Sequence, residues 1–222
     1  MKVSDITNRV GRLLSDPTHV RWSVDELIDY VNDAQKQIVL LVPDANSRTD
    51  AFSITPNQSR QTLPTSPEAI RLLRITRNLP DGRVVYPTLR SAIDAEIPTW
   101  HSATGNAVEH YIYDPNADRK TFYIYPRMTQ GGHQVEIVYS SIPVQVTSLA
   151  NDLALSDQYI NPVVDWVLYR AWAKDAEYAG NAGLAQRHEA SFYQQLGVKD
   201  QVADQVNPNR RVRSAEVDGT AR

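Results

Sequence analysis

The chain has 222 residues, a net charge of −3 and no cysteine. A chain of this length can bury roughly 70% of its unfolded surface, so we expect an ordinary soluble fold without covalent cross-links. The absence of cysteine excludes disulfides and thiolate sites. The slightly negative charge argues against a dedicated nucleic-acid binder, because such proteins display a basic stripe to the phosphate backbone.

Nothing in the sequence predicts a membrane segment. The longest apolar runs are far shorter than the roughly 20 residues of a membrane span, and the first residues lack the apolar centre of a signal peptide. We therefore expect a protein that is made and used in an aqueous compartment, with no membrane partner.

A long amphipathic helix is predicted over residues 23–42. Ser23 stands three residues before Glu26, the capping-box spacing in which a hydroxyl and a carboxylate each bind an unpaired backbone N–H. Pro43 should end the helix, and a shorter helix is predicted before it over residues 4–15. Aliphatic residues recur at three- and four-residue intervals along one face. The core-facing residues of this face include Leu27, Val31 and Ile38.

A second helical block is predicted over residues 161–196. Asn161 is the expected N-cap, with Pro162 at the first helical position, where a missing N–H costs little. Trp166 and Trp172 belong to the apolar face and are spaced for a core or a subunit interface.

Three glycines punctuate this second block. Gly180 and Gly183 interrupt the helical pattern, and Gly197 offers a C-terminal cap. The sequence therefore predicts a helical hairpin that ends at Gly197.

The middle of the chain has the two-residue period of strands. Short β-branched or aromatic runs alternate with turn residues such as Pro80-Asp81-Gly82. The predicted strands cover residues 51–55, 71–76, 84–89, 111–113, 121–125 and 135–139. Residues 100–108 are expected to form an irregular loop. The alternating tyrosines Tyr111, Tyr113, Tyr123 and Tyr125 fit either sheet packing or the stacking of bases and sugars, and we favour packing.

These patterns predict an α+β fold. The N- and C-terminal helices, residues 1–45 and 151–197, should pack as one helical domain, with a mostly antiparallel β domain of residues 46–150 inserted between them. Residues 198–222 form a polar, extended C-terminal tail that cannot build its own core. We expect this tail to be ordered by a partner chain.

Common catalytic and metal-binding motifs are missing. The five histidines are not spaced three or four residues apart, so no helical metal pair is encoded. Residues 114–118 begin like a calcium loop, but Arg119 replaces the required glycine and Tyr125 replaces the final glutamate. A hairpin loop explains this segment better. We expect no catalytic residue, no metal and no cofactor.

The order and spacing of residues at both ends resemble one known family. The first matching segment is WSVDELIDYVNDAQ at residues 22–35, followed by VPDA at residues 42–45. The later matching segments are residues 152–159, 167–177 and 188–196. Together they resemble the bacteriophage head-to-tail adaptor proteins, also called connector or tail tubular protein A-like proteins. The resemblance covers roughly residues 1–45 and 150–197.

This resemblance implies a structural protein of the virion. It implies a ring, typically of twelve subunits, that sits beneath the portal protein, receives the tail tube or nozzle protein and lets DNA pass through its lumen. Such a protein is synthesised in the host cytoplasm and lies at the head-tail junction. DNA contact should be transient and non-specific, because the folded part shows no basic cluster.

Two sets of residues are expected to serve this role. The tail arginines Arg210, Arg211 and Arg213 would meet acidic groups of the portal. The helical core or subunit interface would contain Leu27, Val31, Ile38, Trp166 and Trp172.

Two alternatives remain. One is a tail-completion protein of the same virion that never closes into a ring. The other is an enzyme with a helical cap that uses His101, His110 and Asp114.

Overall fold

The computed structural model describes residues 1–175, 177 and 179–206. Its elements confirm the α+β fold class, because helices lie at both ends of the described chain and strands lie between them. The chain forms two compact units. The helical unit contains Met1–Val42 and the described residues between Val144 and Val206, and the β unit contains Pro43–Pro143.

The helices are α1 (Val3–Leu13), α2 (Val24–Leu41), α3 (Arg90–Glu96), α4 (Ile160–Lys174) and α5 (Ala179–Val206). The strands are β1 (Ser47–Ser53), β2 (Arg60–Thr62), β3 (Ala69–Asn78), β4 (Tyr86–Pro87), β5 (Thr104–Gly105), β6 (His110–Ile112), β7 (Thr121–Tyr125), β8 (Arg127–Met128) and β9 (Gln134–Ser141). Short 3-10 turns at Pro43–Asn46 and Asp157–Tyr159 precede β1 and α4.

Helix α2 begins and ends where the sequence predicts. Ser23 is its N-cap, and the Ser23 hydroxyl accepts a hydrogen bond from the N–H of Glu26 at 3.3 Å. The reciprocal half of the predicted capping box is replaced, because the Glu26 carboxylate accepts hydrogen bonds from Tyr30 and Lys174. A 3-10 turn that opens with Pro43 follows the helix.

Helix α4 begins slightly earlier than predicted. Its N-cap is Tyr159, so Asn161 lies within the first helical turn and the prediction of Asn161 as N-cap is wrong. The Asn161 side-chain oxygen instead accepts a hydrogen bond from Arg9 of α1 at 3.0 Å. Pro162 is still tolerated, because the first turn of a helix has N–H groups without intrahelical partners.

The predicted helical hairpin forms from α4 and α5, with two differences. The break follows Lys174, so Gly180 and Gly183 lie inside α5. The predicted cap at Gly197 is also wrong, because α5 continues through it to Val206. Glycine weakens a helix interior by about 1 kcal/mol, which the good helix formers around it can offset. The helix thus enters the predicted tail, whose arginines Arg210, Arg211 and Arg213 lie outside the described residues.

Side-chain amides of α2 bind the chain that returns to the helical unit. Asn32 exchanges two hydrogen bonds with the backbone of Val146, both at 2.9 Å. The fully buried Gln35 accepts a hydrogen bond from the N–H of Ala154 at 3.0 Å. These contacts join helix α2 to residues that lie more than a hundred positions later in the sequence.

The β unit contains three small sheets, with strand orders β1-β9-β3, β2-β7-β6-β4 and β5-β8. The pairs β4-β6 and β5-β8 are parallel and the other pairs are antiparallel, which agrees with a mostly antiparallel unit. The predicted turn is present, because the N–H of Gly82 donates to the carbonyl of Asn78 at 3.0 Å. Gly82 has φ +74°, which favours glycine.

Residues 100–108, predicted as an irregular loop, contain part of a small core. Trp100 is 1% exposed, and its indole N–H donates to Asp94 of α3 at 2.7 Å. The ring centroid of Trp100 lies 3.6 Å from that of His101 and 5.8 Å from that of Tyr123. The short strand β5 also lies in this segment.

Candidate functional site

A cleft of about 400 Å³ opens on the helical unit. It is bordered by the segment between α1 and α2 and by the region between α4 and α5. The lining residues are Leu14, Ser15, Asp16, Val20, Arg21, Trp22, Trp172, Asp175 and Asn181. We call this the tryptophan cleft.

Asp16 holds the loop on one side of the tryptophan cleft. Its two carboxylate oxygens accept hydrogen bonds from the N–H groups of Val20 at 2.9 Å, Arg21 at 2.9 Å and Trp22 at 3.1 Å. These donors, chiefly that of Trp22, hold the pKa of Asp16 below its ordinary value. One carboxylate therefore fixes the chain that leads into α2.

The loop between α1 and α2 packs closely against Gly11 of α1. A Cβ at Gly11 of α1 would lie 2.8 Å from Cε1 of His19 and 3.0 Å from the carbonyl oxygen of Asp16. His19 itself has φ +56°, a conformation that is uncommon for residues other than glycine. The close approach lets the loop lie directly on the helix.

Two tryptophans face each other in the cleft. The indole N–H of Trp22 donates to the carbonyl of Ala171 at 3.3 Å, and the ring centroids of Trp22 and Trp172 lie 6.0 Å apart with an edge contact. Trp22 is 3% exposed, whereas Trp172 is half-buried. Trp172 therefore presents part of its ring to the cleft.

An ion pair lies at one side of the tryptophan cleft. Arg21 Nη2 lies 2.6 Å from Asp175 Oδ2, although the geometry is not aligned for a hydrogen bond. The Arg21 guanidinium also lies over the Trp22 ring, 5.2 Å from its centroid. The cleft thus combines a part-exposed aromatic ring with a charged pair, as protein interfaces often do.

A second polar cluster lies between α4 and α5. The residues His188, Ser191 and Gln195 recur at helical spacing on α5 and converge on Asp165 of α4. Asp165 Oδ1 lies 2.8 Å from His188 Nδ1, and Asp165 Oδ2 accepts a hydrogen bond from the Ser191 hydroxyl at 2.7 Å.

This cluster has the residue types of a catalytic triad but a different arrangement. A nucleophilic serine must donate its proton to the histidine, whereas the Ser191 hydroxyl donates to Asp165. Ser191 also accepts a hydrogen bond from Gln195 at 2.9 Å. The arrangement joins two helices and does not activate the hydroxyl.

Glu26 links α2 to α4 on another face of the helical unit. Its carboxylate accepts hydrogen bonds from Tyr30 at 2.7 Å and from Lys174 at 2.8 Å. Burial acts to raise the pKa of Glu26, but these two hydrogen bonds outweigh it and hold the pKa below its ordinary value. The residue thus remains a charged anchor for the last turn of α4.

The predicted core residues occupy different positions in the helical unit. Leu27, Val31 and Ile38 are fully buried, which places them inside this unit. Trp166 is also buried, and its ring lies 4.8 Å from that of Phe192. Trp172 is the half-buried member of this group. Its role at a subunit interface stays a prediction.

The tyrosines of the β unit pack as the preferred interpretation proposed. Tyr111 is 8% exposed and belongs to the main core. Tyr113 packs against that core, and its hydroxyl accepts a hydrogen bond from the N–H of Leu72 at 3.2 Å. Tyr123 and Tyr125 pack against the smaller core around Trp100.

The three residues of the enzyme alternative have separate surroundings. Besides stacking on Trp100, His101 lies within hydrogen-bond distance of Ser59. His110 packs beside Tyr86 and Tyr125. Asp114 accepts a hydrogen bond from the backbone N–H of Asn116 in a hairpin turn. No contact joins these three residues in the part of the chain that the structure describes.

Within the described residues, no group of three or more acidic, histidine or cysteine side chains could hold a metal ion. None of the helices described is long and apolar enough to cross a membrane.

The polar clusters thus join helices, and the tryptophan cleft exposes part of an aromatic ring. A family model described as SU10 adaptor protein matches residues 1–214. The chain therefore belongs to the SU10 adaptor protein family, a bacteriophage adaptor family. This match confirms the resemblance seen in the sequence. A comparison with curated proteins finds no match.

Proposed function

We propose that the protein is a structural head-to-tail adaptor of a tailed bacteriophage virion. In this proposal, twelve copies form a ring that joins the portal to the tail tube or nozzle, and DNA passes through the ring's lumen. The observation that carries the proposal is the family match over residues 1–214, which spans both helical ends and the strands between them. The chain then acts at the head-tail junction and needs no catalytic site.

We also propose that the two compact units act as two domains. The helical unit is held by hydrogen bonds between distant parts of the sequence, such as Asn32 with Val146. The β unit has its own core, centred on residues such as Phe122 and Ile137. Each unit thus has the internal contacts of an independent domain.

Two surfaces are proposed to meet other proteins. The tryptophan cleft, with the part-exposed ring of Trp172 and the 85% exposed side chain of Val20 beside it, supports a contact between neighbouring subunits. The tail arginines Arg210, Arg211 and Arg213 are proposed to bind acidic groups of the portal, because a guanidinium pairs with a carboxylate through two parallel hydrogen bonds.

Sedimentation with portal rings of the same phage tests the portal contact. The full chain should co-sediment with the rings, and changing all three tail arginines to glutamine should reduce the bound fraction at least about fivefold. The control changes Arg12, Arg119 and Arg187 to glutamine, which removes the same charge from three other positions. Equal binding by the tail variant and the full chain would contradict the tail contact.

Mass measurement separates a ring from the non-ring alternative. In the presence of portal, an adaptor ring should give a bound mass equal to twelve chains per portal ring. A single bound chain would favour a tail-completion protein that does not close into a ring.

A further inference from the structure

Strand β3 has an unusual register against β9. Three register shifts interrupt the pairing, so that three residues of β3 match two residues of β9 in each repeat. The repeated pairs on one side are Arg71 with Ser140, Arg74 with Val138 and Arg77 with Glu136. Residues that alternate along β9 point to one face, so the three arginines share a face of the β1-β9-β3 sheet.

The contacts of Glu136 support this placement. Arg77 Nη2 lies 3.1 Å from Glu136 Oε2, and the Thr76 hydroxyl donates to Glu136 Oε1 at 2.6 Å. These two hydrogen bonds, first that of Thr76, hold the pKa of Glu136 below its ordinary value, and the charge of Arg74 acts in the same direction. Arg77 therefore lies on the same side of the sheet as Glu136.

The opposite face of the sheet packs into the main core of the β unit. Leu72 pairs with Tyr139 and Ile75 pairs with Ile137, and all four side chains are buried. The arginines consequently occupy the face that the core leaves open.

The arginine face carries little compensating charge. Arg74 and Arg77 are exposed, and Arg71 is half-buried with its Nε lacking a hydrogen-bond partner among the described residues. Arg74 forms no ion pair within the described chain, and Glu136 is shared by Arg77 and Thr76. Of the three arginines, Arg77 is the one that pairs with a carboxylate among the described residues, and the Arg71 side chain interacts with the Tyr113 hydroxyl.

Strand β1 adds small, neutral side chains to this face. Strand β1 contributes Ser47, Thr49 and Ala51, which lie opposite Ser140, Val138 and Glu136 of β9 and are exposed. These short side chains leave the side chains of Arg74 and Arg77 exposed.

The spacing suits a regular polyanion. Successive arginines are separated by two residues of β9, which corresponds to about 7 Å. A protein partner would need an exposed apolar anchor, whereas the large aliphatic residues Ile70 and Leu73 of β3 and Val138 of β9 are each half-buried. A phosphate backbone needs no such anchor, because positive charge alone supplies non-specific binding.

We propose that Arg71, Arg74 and Arg77 form a binding surface for the phosphate backbone of double-stranded DNA, without sequence preference. The surface deepens the proposed function, because an adaptor with DNA in its lumen needs weak contacts that allow sliding. The expected affinity of the free chain is low, with a dissociation constant on the order of 10⁻⁴ M at physiological salt.

Fluorescence anisotropy with two labelled 30-base-pair duplexes of unrelated sequence provides the test. Both duplexes should bind equally, and three phosphate contacts predict a slope of about −2.7 for log K against log salt. Binding should therefore weaken about 40-fold between 50 and 200 mM salt. No binding at 50 mM salt, or nanomolar binding of only one duplex, would overturn the proposal.

Substitutions of the three arginines test whether these residues bind the DNA. Changing Arg71, Arg74 and Arg77 to glutamine should weaken binding at 50 mM salt at least about tenfold and flatten the salt slope by roughly 2 to 3. Arg74→Gln alone should flatten the slope by about 1, while Arg74→Lys should retain it, since lysine keeps the charge. Melting curves confirm that each variant is folded, and the single variant serves if the triple variant unfolds.

The charge-matched control changes Arg48, Arg60 and Arg90 to glutamine. Arg48 lies opposite Tyr139 in register, on the other face of the sheet, and the other two arginines lie outside this sheet. The control should bind DNA nearly as the unchanged chain does. Equal loss in both triple variants would assign the effect to total charge and overturn the proposal.

A protein partner would give a different result. If the arginine variant bound DNA normally but lost binding to the tail protein, the face would be a protein-docking surface and the DNA proposal would be wrong. Failure of the head-to-tail function is separable, because an adaptor variant without DNA binding should still co-sediment with portal rings.

Discussion

At the residue scale, single polar side chains hold the irregular segments of the helical unit. Asp16 accepts three backbone N–H bonds, Asn32 pairs with the backbone of Val146, and Gln35 binds the N–H of Ala154. Backbone groups away from regular helices and strands need such partners when they are buried. These side chains replace the hydrogen bonds that secondary structure supplies elsewhere.

Asp16→Asn should destabilise the helical unit at pH 7. An amide has one acceptor oxygen, so it cannot satisfy the N–H groups that now bind two carboxylate oxygens. The pKa of Asp16 is lowered in the folded state, so its ionised form stabilises the fold above the unfolded pKa. This contribution is lost as the pH falls below about 4 through the folded pKa.

Urea unfolding at pH 7 and pH 3 measures this effect. The difference in midpoint between the unchanged chain and Asp16→Asn should be largest at pH 7 and smaller at pH 3. Asp29→Asn is the matched control, because Asp29 is exposed on α2 and its removal changes the charge equally. A midpoint difference that is the same at both pH values would show that the charge of Asp16 has no role.

At the element scale, the packing of α2 carries the stability of the helical unit. Its buried face contains Leu27, Val31, Ala34 and Ile38, each with no exposed surface. A helix of this length gains most of its stability from such packing, because isolated helices are marginal in water. The face is continuous, so a charge at its centre has no route to solvent.

Val31→Asp should lower the free energy of unfolding by about 4 kcal/mol, because it buries an unpaired carboxylate. The matched control is Val144→Asp, since Val144 is 73% exposed, and this change should cost less than about 0.5 kcal/mol. Thermal unfolding followed by circular dichroism distinguishes them. Equal melting temperatures for Val31→Asp and the unchanged chain would contradict the packing described.

The sequence predicted the elements whose apolar residues repeat with a regular period. It did not predict the features that depend on contacts between distant parts of the chain. The apolar repeat and Ser23 located α2 within a residue or two, because both signals are local. The break between α4 and α5 lies before the predicted position at Gly180 and Gly183, since glycine is tolerated inside a packed helix. Gly180 and Gly183 therefore gave a misleading signal.

The arginine face was hidden for a related reason. In a regular strand, residues three apart point to opposite faces, so Arg71, Arg74 and Arg77 did not form a cluster in the sequence. The register shifts of β3 bring them to one face. Bulges depend on pairing with β9, which the sequence of β3 alone does not specify.

The tryptophan cleft was only partly visible in the sequence. Trp172 was predicted at a core or interface, whereas the helix predicted over residues 4–15 ends just before Asp16. The role of Asp16 depends on a tight loop that returns the next residues to its carboxylate. Pro17 follows Asp16, and an Asp-Pro pair is a local signal for such a loop.

At the scale of the whole molecule, the chain is a member of the SU10 adaptor protein family with a helical unit and a β unit. The helical unit draws on both ends of the described chain, so removing either end should affect the same core. Helix α5 contributes to this core, because Phe192 and Leu196 are buried in the helical unit shortly before Gly197.

Two truncations follow from the course of α5. A chain that ends at Val206 keeps the whole described helix, so its melting temperature should match that of the full chain while its binding to portal decreases. A chain that ends at Gly197 removes the last part of α5 and should melt a few degrees lower. Undiminished portal binding by the chain that ends at Val206 would place the portal contact outside residues 207–222.

The central claim is that the protein joins the head of a virion to its tail. Immunogold electron microscopy of intact virions, before and after the tail is detached, tests it most directly. An antibody against the chain should label the head-tail junction, and the label should be strongest on heads whose portal end has been exposed. Label spread over the capsid surface, or no label on virions or detached heads, would contradict the account.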